Sequence, residues 1–119
     1  MANCIPSTTT VSVAVGGGKA NGASGAGIRS LSSNGRFVIL QSQATNLTFN
    51  GLQPGGIYVR DTCTGAPAGC APATLLVSLD SQGNFVAAAG PAISADGHYA
   101  AFNILIGIFP QDVLAHTGF

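Results

Sequence analysis

The chain repeats itself before it is half-way through a second copy. Cys4-Ile5-Pro6-Ser7-Thr8 returns as Cys70-Ala71-Pro72-Ala73-Thr74, and each copy runs on into a strand-like stretch, Val11-Ser12-Val13 and Val77-Ser78-Leu79. Both segments keep the same register, 66 residues apart, so the 119 residues hold fewer than two full units. Repeat architectures bury the apolar face of each unit against its neighbours, and about three or more units are needed before the stack is stable. The pattern predicts a piece of a larger assembly or a subunit that finds partners. It speaks to architecture far more than to activity.

The composition suits an all-β chain. There are 17 glycines and 6 prolines, and four Lys+Arg balance four Asp+Glu. Lys19, Arg29, Arg36 and Arg60 are scattered and form no basic stripe, so no nucleic-acid partner is implied. The longest apolar stretch, residues 99–109, is interrupted by Asn103 and Gly107 and falls short of the roughly 20 residues a membrane helix takes. No basic segment followed by an apolar one comes after Met1, so a signal peptide is expected upstream of this chain if the protein is exported.

The cysteines speak to compartment. Cys63 and Cys70 flank the turn-rich Thr64-Gly65-Ala66-Pro67-Ala68-Gly69, between the apolar runs Ile57-Tyr58-Val59 and Leu75-Leu76-Val77, so they can meet across the neck of a loop. A disulfide is expected there, which points to an extracytoplasmic location, periplasmic, cell-surface or secreted; two free cytoplasmic thiols are the alternative. Zinc is not expected, since no Cys-x-x-Cys occurs and His98 and His116 stand at no ligand-like spacing from the pair. Cys4 occupies the place of Cys70 in the earlier copy, so its partner is expected before residue 1 and the chain is expected to begin in mid-loop.

Turn punctuation divides the chain into short strands. Residues 10–15 alternate with period two and end in Gly16-Gly17-Gly18. A small-residue loop leads to a strand at 28–31, the turn Ser33-Asn34-Gly35, and the apolar run 36–40, which suits a strand covered on both faces. Strands follow at 57–61 and 75–79. The pattern then restarts with a strand at 92–94, the turn Ala95-Asp96-Gly97, a strand at 98–102, a connection over 103–111 and a last strand at 112–115.

Ile93-Ser94-Ala95-Asp96-Gly97-His98-Tyr99-Ala100-Ala101-Phe102 resembles the I-S-x-D-G-R-Y-V-A-F core of the TolB-type, WD40-like (PD40) propeller repeat, and Leu31-Ser32-Ser33-Asn34-Gly35-Arg36-Phe37-Val38 is a looser copy. Ala44-Thr45-Asn46-Leu47, residues 57–61 and residues 76–79 resemble three further segments of that repeat, so the likeness spans nearly the whole chain. It implies a β-propeller of four-stranded antiparallel blades: residues 1–15 as the last strand of a preceding blade, 28–79 as a full blade and 92–119 as a partial one, an incomplete ring of about two blades. Relatives often carry an acidic loop before the third strand. Here Asn50-Gly51-Leu52-Gln53-Pro54-Gly55-Gly56 offers no carboxylate, which argues against calcium.

Other motifs lack what their chemistry needs. Gly16-Gly17-Gly18-Lys19 would require glycine at Val13 and a hydroxyl at Ala20 to be a phosphate loop, and reads as a glycine turn. Gly22-Ala23-Ser24-Gly25-Ala26 misses the second glycine of a nucleophile elbow. With no glutamate in the chain and Asp80 and Asp96 placed at turns, a paired-carboxylate mechanism has little material. His98 takes the place of Arg36 in the second copy, a surface or inter-strand role, and Asn46-Leu47-Thr48 is a three-residue sequon common by chance.

No cofactor or metal is implied, and no enzyme. The expected function is a scaffold or interaction module of an exported bacterial protein, binding protein or surface carbohydrate through propeller loops, with the remaining blades or further copies completing the ring. An accessory segment of a secreted hydrolase is the alternative. The expected assembly pairs the first strand of one copy with the last strands of the next, a contact that can close on itself.

Overall fold

A computed structural model describes residues 8–27, 29–106 and 109–119. The described chain is all-β. β1 (Ser24–Gly25), β2 (Phe37–Ser42), β3 (Gly56–Asp61) and β4 (Ala73–Leu76) form a four-stranded antiparallel sheet in chain order, and β5 (Ala88–Ile93), β6 (Tyr99–Ile106) and β7 (Phe109–His116) form a three-stranded one. Both are meanders, the topology that short turns between neighbouring strands produce.

The two central strands of the first sheet are buried on both faces, and the sequence shows why. In β2, Phe37 and Ile39 point to one side and Leu40 and Ser42 to the other, all 6 % exposed or less. β3 does the same, with Ile57 and Val59 on the first side and Tyr58 on the second, each fully buried. One side joins Val77, Ala88, Ile93, Ala100 and Phe102 in the core between the two sheets. The other side packs Leu40, Tyr58 and Leu76 under Ala44 and Leu47. A strand covered twice reads as a continuous apolar run rather than an alternating one.

The repeat is present in three dimensions. Val13 bridges Lys19 and Leu79 bridges Phe85. Inside these bridges the same bonds recur: Ala14 N to Gly18 O and Asp80 N to Asn84 O (both 2.9 Å), then Gly17 N to Ala14 O and Gly83 N to Asp80 O (2.9 and 3.0 Å). Every one of these pairs is 66 residues apart. Further on the offset drops to 62, since Phe37 opposite Asp61 is matched by Tyr99 opposite His116, and Leu31 opposite Val38 by Ile93 opposite Ala100. The first unit therefore carries four extra residues between Ala20 and Leu31, in the small-residue loop.

Several expected strands shift. Residues 10–15 form no strand: beyond the Val13 bridge, Val15–Gly17 is a 3-10 turn, and Val15 N donates to Asn46 O at 2.8 Å. A strand needs a ladder for its amides and carbonyls, and among the described residues this segment finds only its own turn and one loop carbonyl. The first strand of the sheet is Ser24–Gly25 rather than 28–31, of which Ile28 lies outside the described residues and Leu31 makes a single bridge to Val38. The third connection of the first unit closes with β4 at Ala73–Leu76 instead of 75–79, and β5 begins earlier than expected, at Ala88. Residues 103–106 and 109–111 belong to strands and not to a loop: β6 and β7 pair from Tyr99 opposite His116 to Ile106 opposite Phe109. Cys4 lies outside the described residues.

The Ala44-Thr45-Asn46-Leu47 segment has a structural task. Ala44 and Leu47 are buried, while Thr45 and Asn46 clamp the segment before β1: Thr45 N donates to Asn21 Oδ1 (2.8 Å), Asn21 N to Asn46 Oδ1 (3.0 Å) and Asn46 Nδ2 to Lys19 O (3.1 Å). The sequon asparagine thus spends its amide inside the fold.

Gly97 fixes how the sheets meet. It is buried at φ +78°, and a Cβ there would stand 2.7 Å from Phe37 Cγ. We expect Gly97→Ala to lower stability by about 2–4 kcal/mol, the sum of left-handed strain and overpacking, read as a fall in Tm. Gly65→Ala, at a similar φ in open space, should cost only the backbone share, about 1 kcal/mol.

Candidate functional site: the paired turns at one end of the sheets

The turns that open β2 and β6 are the same device. Ser32 Oγ donates to Asn34 Oδ1 (3.0 Å), which also accepts from Arg36 N (3.0 Å), and Phe37 N donates to Ser32 Oγ (2.9 Å). In the second unit Ser94 Oγ donates to Asp96 Oδ1 (2.7 Å), which accepts from His98 N (3.0 Å), and Tyr99 N donates to Ser94 Oγ (3.0 Å). Gly35 and Gly97 supply the left-handed residue each turn needs, at φ 75° and 78°. At the opposite end of the sheets Asp80 works alike, accepting from Gln82 N and Asn84 N. The Asn84 amide holds the Asp80 carboxyl, and the His98 amide that of Asp96, below the usual carboxylate value.

The returning strands lock onto these turns. Thr62 N and Oγ1 both donate to Arg36 O (2.8 and 2.7 Å). Thr117 N donates to His98 O (2.8 Å) and its Oγ1 to Gly97 O (2.7 Å). Arg36 with Asp61 and His98 with His116 therefore occupy equivalent places.

The first pair is ionic. Arg36 Nε and Nη2 donate to Asp61 Oδ1 and Oδ2 at 2.9 and 3.0 Å, a two-pronged geometry that suits guanidinium and carboxylate. The Asp61 side chain is only 8 % exposed, against 29 % for Arg36. Arg36 holds the Asp61 carboxyl below its usual value against the opposing effect of burial, with the Cys63 amide (2.9 Å) adding to the pull. The guanidinium also stacks over Phe37, 4.9 Å from the ring centre.

The second pair is aromatic. The imidazoles of His98 and His116 lie 6.5 Å apart at 23°, and Tyr99 meets His116 edge-on at 5.0 Å. His98 Nδ1 is 3.4 Å from Asp96 Oδ2, and His116 Nδ1 accepts from Gly118 N at 3.3 Å. Each histidine read separately gives a surface residue. Their juxtaposition follows only from the register, which depends on a β6 to β7 connection shorter than its counterpart in the first unit.

Cys63 and Cys70 form the expected disulfide, with Cα atoms 5.9 Å apart, closing the loop beyond β3. Their sulfurs and an Asp61 oxygen cluster within 4.8 Å. Joined sulfurs are not thiolate ligands, and the Asp61 carboxylate is already taken by Arg36, so the cluster is a brace on the loop. Together the two turns, the disulfide loop and the Tyr99 and histidine rings form one polar, rigid rim that can offer hydrogen bonds and aromatic faces to a ligand.

Reducing the disulfide should remove about 2.5 kcal/mol, by the chain-entropy estimate for a loop of this size, and lower Tm by about 10 °C without loss of the far-ultraviolet β signal. Because the folded-state pKa of Asp61 is depressed, its contribution is complete above the unfolded value of 3.8 and is lost as pH falls through the folded value. Asp61→Asn should therefore cost about 2 kcal/mol at neutral pH and flatten the acid limb of a stability-against-pH profile. No family model, curated protein or solved structure matches the chain.

Proposed function

We propose that the chain is a segment of a TolB-type β-propeller, working outside the cytoplasm as a non-enzymatic scaffold whose rim of turns holds a protein or a surface carbohydrate. One observation carries this reading: the equivalent turns of the two units touch. Ser33 N and Oγ both donate to Ala95 O, at 2.8 and 3.0 Å. Successive units thus line up their turns at one end, as the blades of a propeller do, and loops held on a rigid frame are where binding residues concentrate. Two meander sheets related by the internal repeat fit the same architecture. The disulfide suits an oxidising compartment. Three of the four acids are committed to structure, Asp61 to Arg36 and Asp80 and Asp96 to their turns, which favours contact over acid–base chemistry.

Chemical-shift mapping with oligosaccharides from bacterial surface polysaccharides tests the rim. Shifts are expected to cluster at residues 33–36, 62–70 and 95–99, and Tyr99→Ala should weaken binding about tenfold, as loss of one stacking aromatic does. Hydrolysis of ester, glycoside or peptide substrates by the chain alone, or shifts confined to the opposite end, would overturn the reading.

A further inference from the structure

We infer that a second copy of this chain docks on the outer face of the three-stranded sheet, through the back of its own four-stranded sheet. The inference rests on the repeat in the fold and not on what the rim binds, although Tyr99 belongs to both surfaces. Among the described residues the two sheets make one contact with each other. Its front half comes from the first sheet, where Phe37 and Val59 are 6 % and 0 % exposed; its back half comes from the second, where Ile93 and Ala100 are 9 % and 1 % exposed.

The repeat supplies each half again: the front is open, and the back is open along Leu31 and Val38, while Leu40, Tyr58 and Leu76 beside them lie under Ala44 and Leu47. By the register, Tyr99 and Leu114 stand where Phe37 and Val59 do, yet they are 44 % and 71 % exposed. Leu31 and Val38 stand where Ile93 and Ala100 do; Leu31 is 58 % exposed and Val38 half-buried. The molecule therefore displays an unused front and the uncovered part of a back of a contact that it also makes internally. A groove of about 420 Å³ lies on that back, lined by Val15, Leu47, Phe49, Arg60 and Thr74, with Phe49 85 % exposed. Charge agrees in sign: Arg60 lies on the back and Asp112 on the front, and neither forms an ion pair among the described residues. The two halves are different surfaces, so the contact is head-to-tail and can propagate or close.

The occupant differs from the strand exchange that the sequence suggests. Residues 13–19 fold back on themselves and onto Asn46, so they are not offered as a strand, whereas the exposed faces need no rearrangement.

Light scattering after size exclusion, on the oxidised full chain, decides the matter. The wild-type mass should rise above the monomer value with concentration. Leu114→Glu spoils only the front and Leu31→Glu only the back, so each variant alone should stay monomeric, with affinity reduced at least a hundredfold. Mixed in equal amounts they should form a dimer that grows no further, because each keeps one intact face. Should either glutamate variant melt below wild type, Leu114→Ser and Leu31→Ser replace it. A wild type that stays monomeric at millimolar concentration overturns the proposal. So does association of the wild type without rescue in the mixture, since that would mean a face meeting its own copy. A chain that binds glycan at its rim and remains monomeric would keep the rim reading and lose this one.

Discussion

Phe37 is the residue on which the arrangement of the two sheets depends. It leaves β2 toward the second sheet, under the backbone of Gly97 and against Phe119, whose ring centre is 4.9 Å away. Arg36 lies over the same ring, so the ion pair with Asp61, the stacking of the two sheets and the anchoring of the last residue all converge there. Aromatic pairs and a cation over a ring each contribute about 0.5–1.5 kcal/mol beyond simple burial. The larger effect is geometric. A buried ring with a glycine pressed on it permits one separation and one rotation of the sheets.

The polar groups of the rim illustrate how a chain with so few charges uses them. Asp61, at the end of a buried strand, would be costly without a partner, because an ionised carboxylate taken out of water is destabilising. Arg36 satisfies both its oxygens, and the Cys63 amide adds a third bond. Cys63 itself takes the left-handed conformation, φ 61°, a strained position for a non-glycine residue in the loop that the disulfide closes. In the second unit no such centre exists. Histidines fill both places, and the strand ends are joined by ring packing.

Much of this was legible in the residues. The turns at Ser33-Asn34-Gly35 and Ala95-Asp96-Gly97 are a local matter of Asx acceptors and a left-handed glycine, and both form as read. The doubly covered strand at 36–40 and the bridge between Cys63 and Cys70 were equally visible. What failed was decided by partners distant in sequence. Residues 10–15 carry a sound alternation, yet alternation describes what a strand would bury and does not supply a neighbour. Residues 103–111 looked like a connection because the first unit has one there, and the cross-strand pairing that extends β6 and β7 leaves no mark in a single copy. The meeting of His98 and His116 was hidden for the same reason: its offset of 55 between Asp61 and His116 differs from the 66 and 62 seen elsewhere.

Those unequal offsets carry a last consequence. Between the two units the matched bridges and turns keep their register, and the changes of offset fall in connections: four residues more before Leu31 in the first unit, and a shorter link between the second and third strands in the other. Closing a loop costs chain entropy that grows only with the logarithm of its length, about 0.6 kcal/mol for each doubling. Such changes are therefore nearly invisible to the stability of the stack. A duplicated unit of this kind can alter its connections copy by copy while the stacking contact stays under constraint, so divergence of sequence is expected to concentrate where the chain meets its surroundings and to spare the residues equivalent to Phe37, Val59, Ile93 and Gly97.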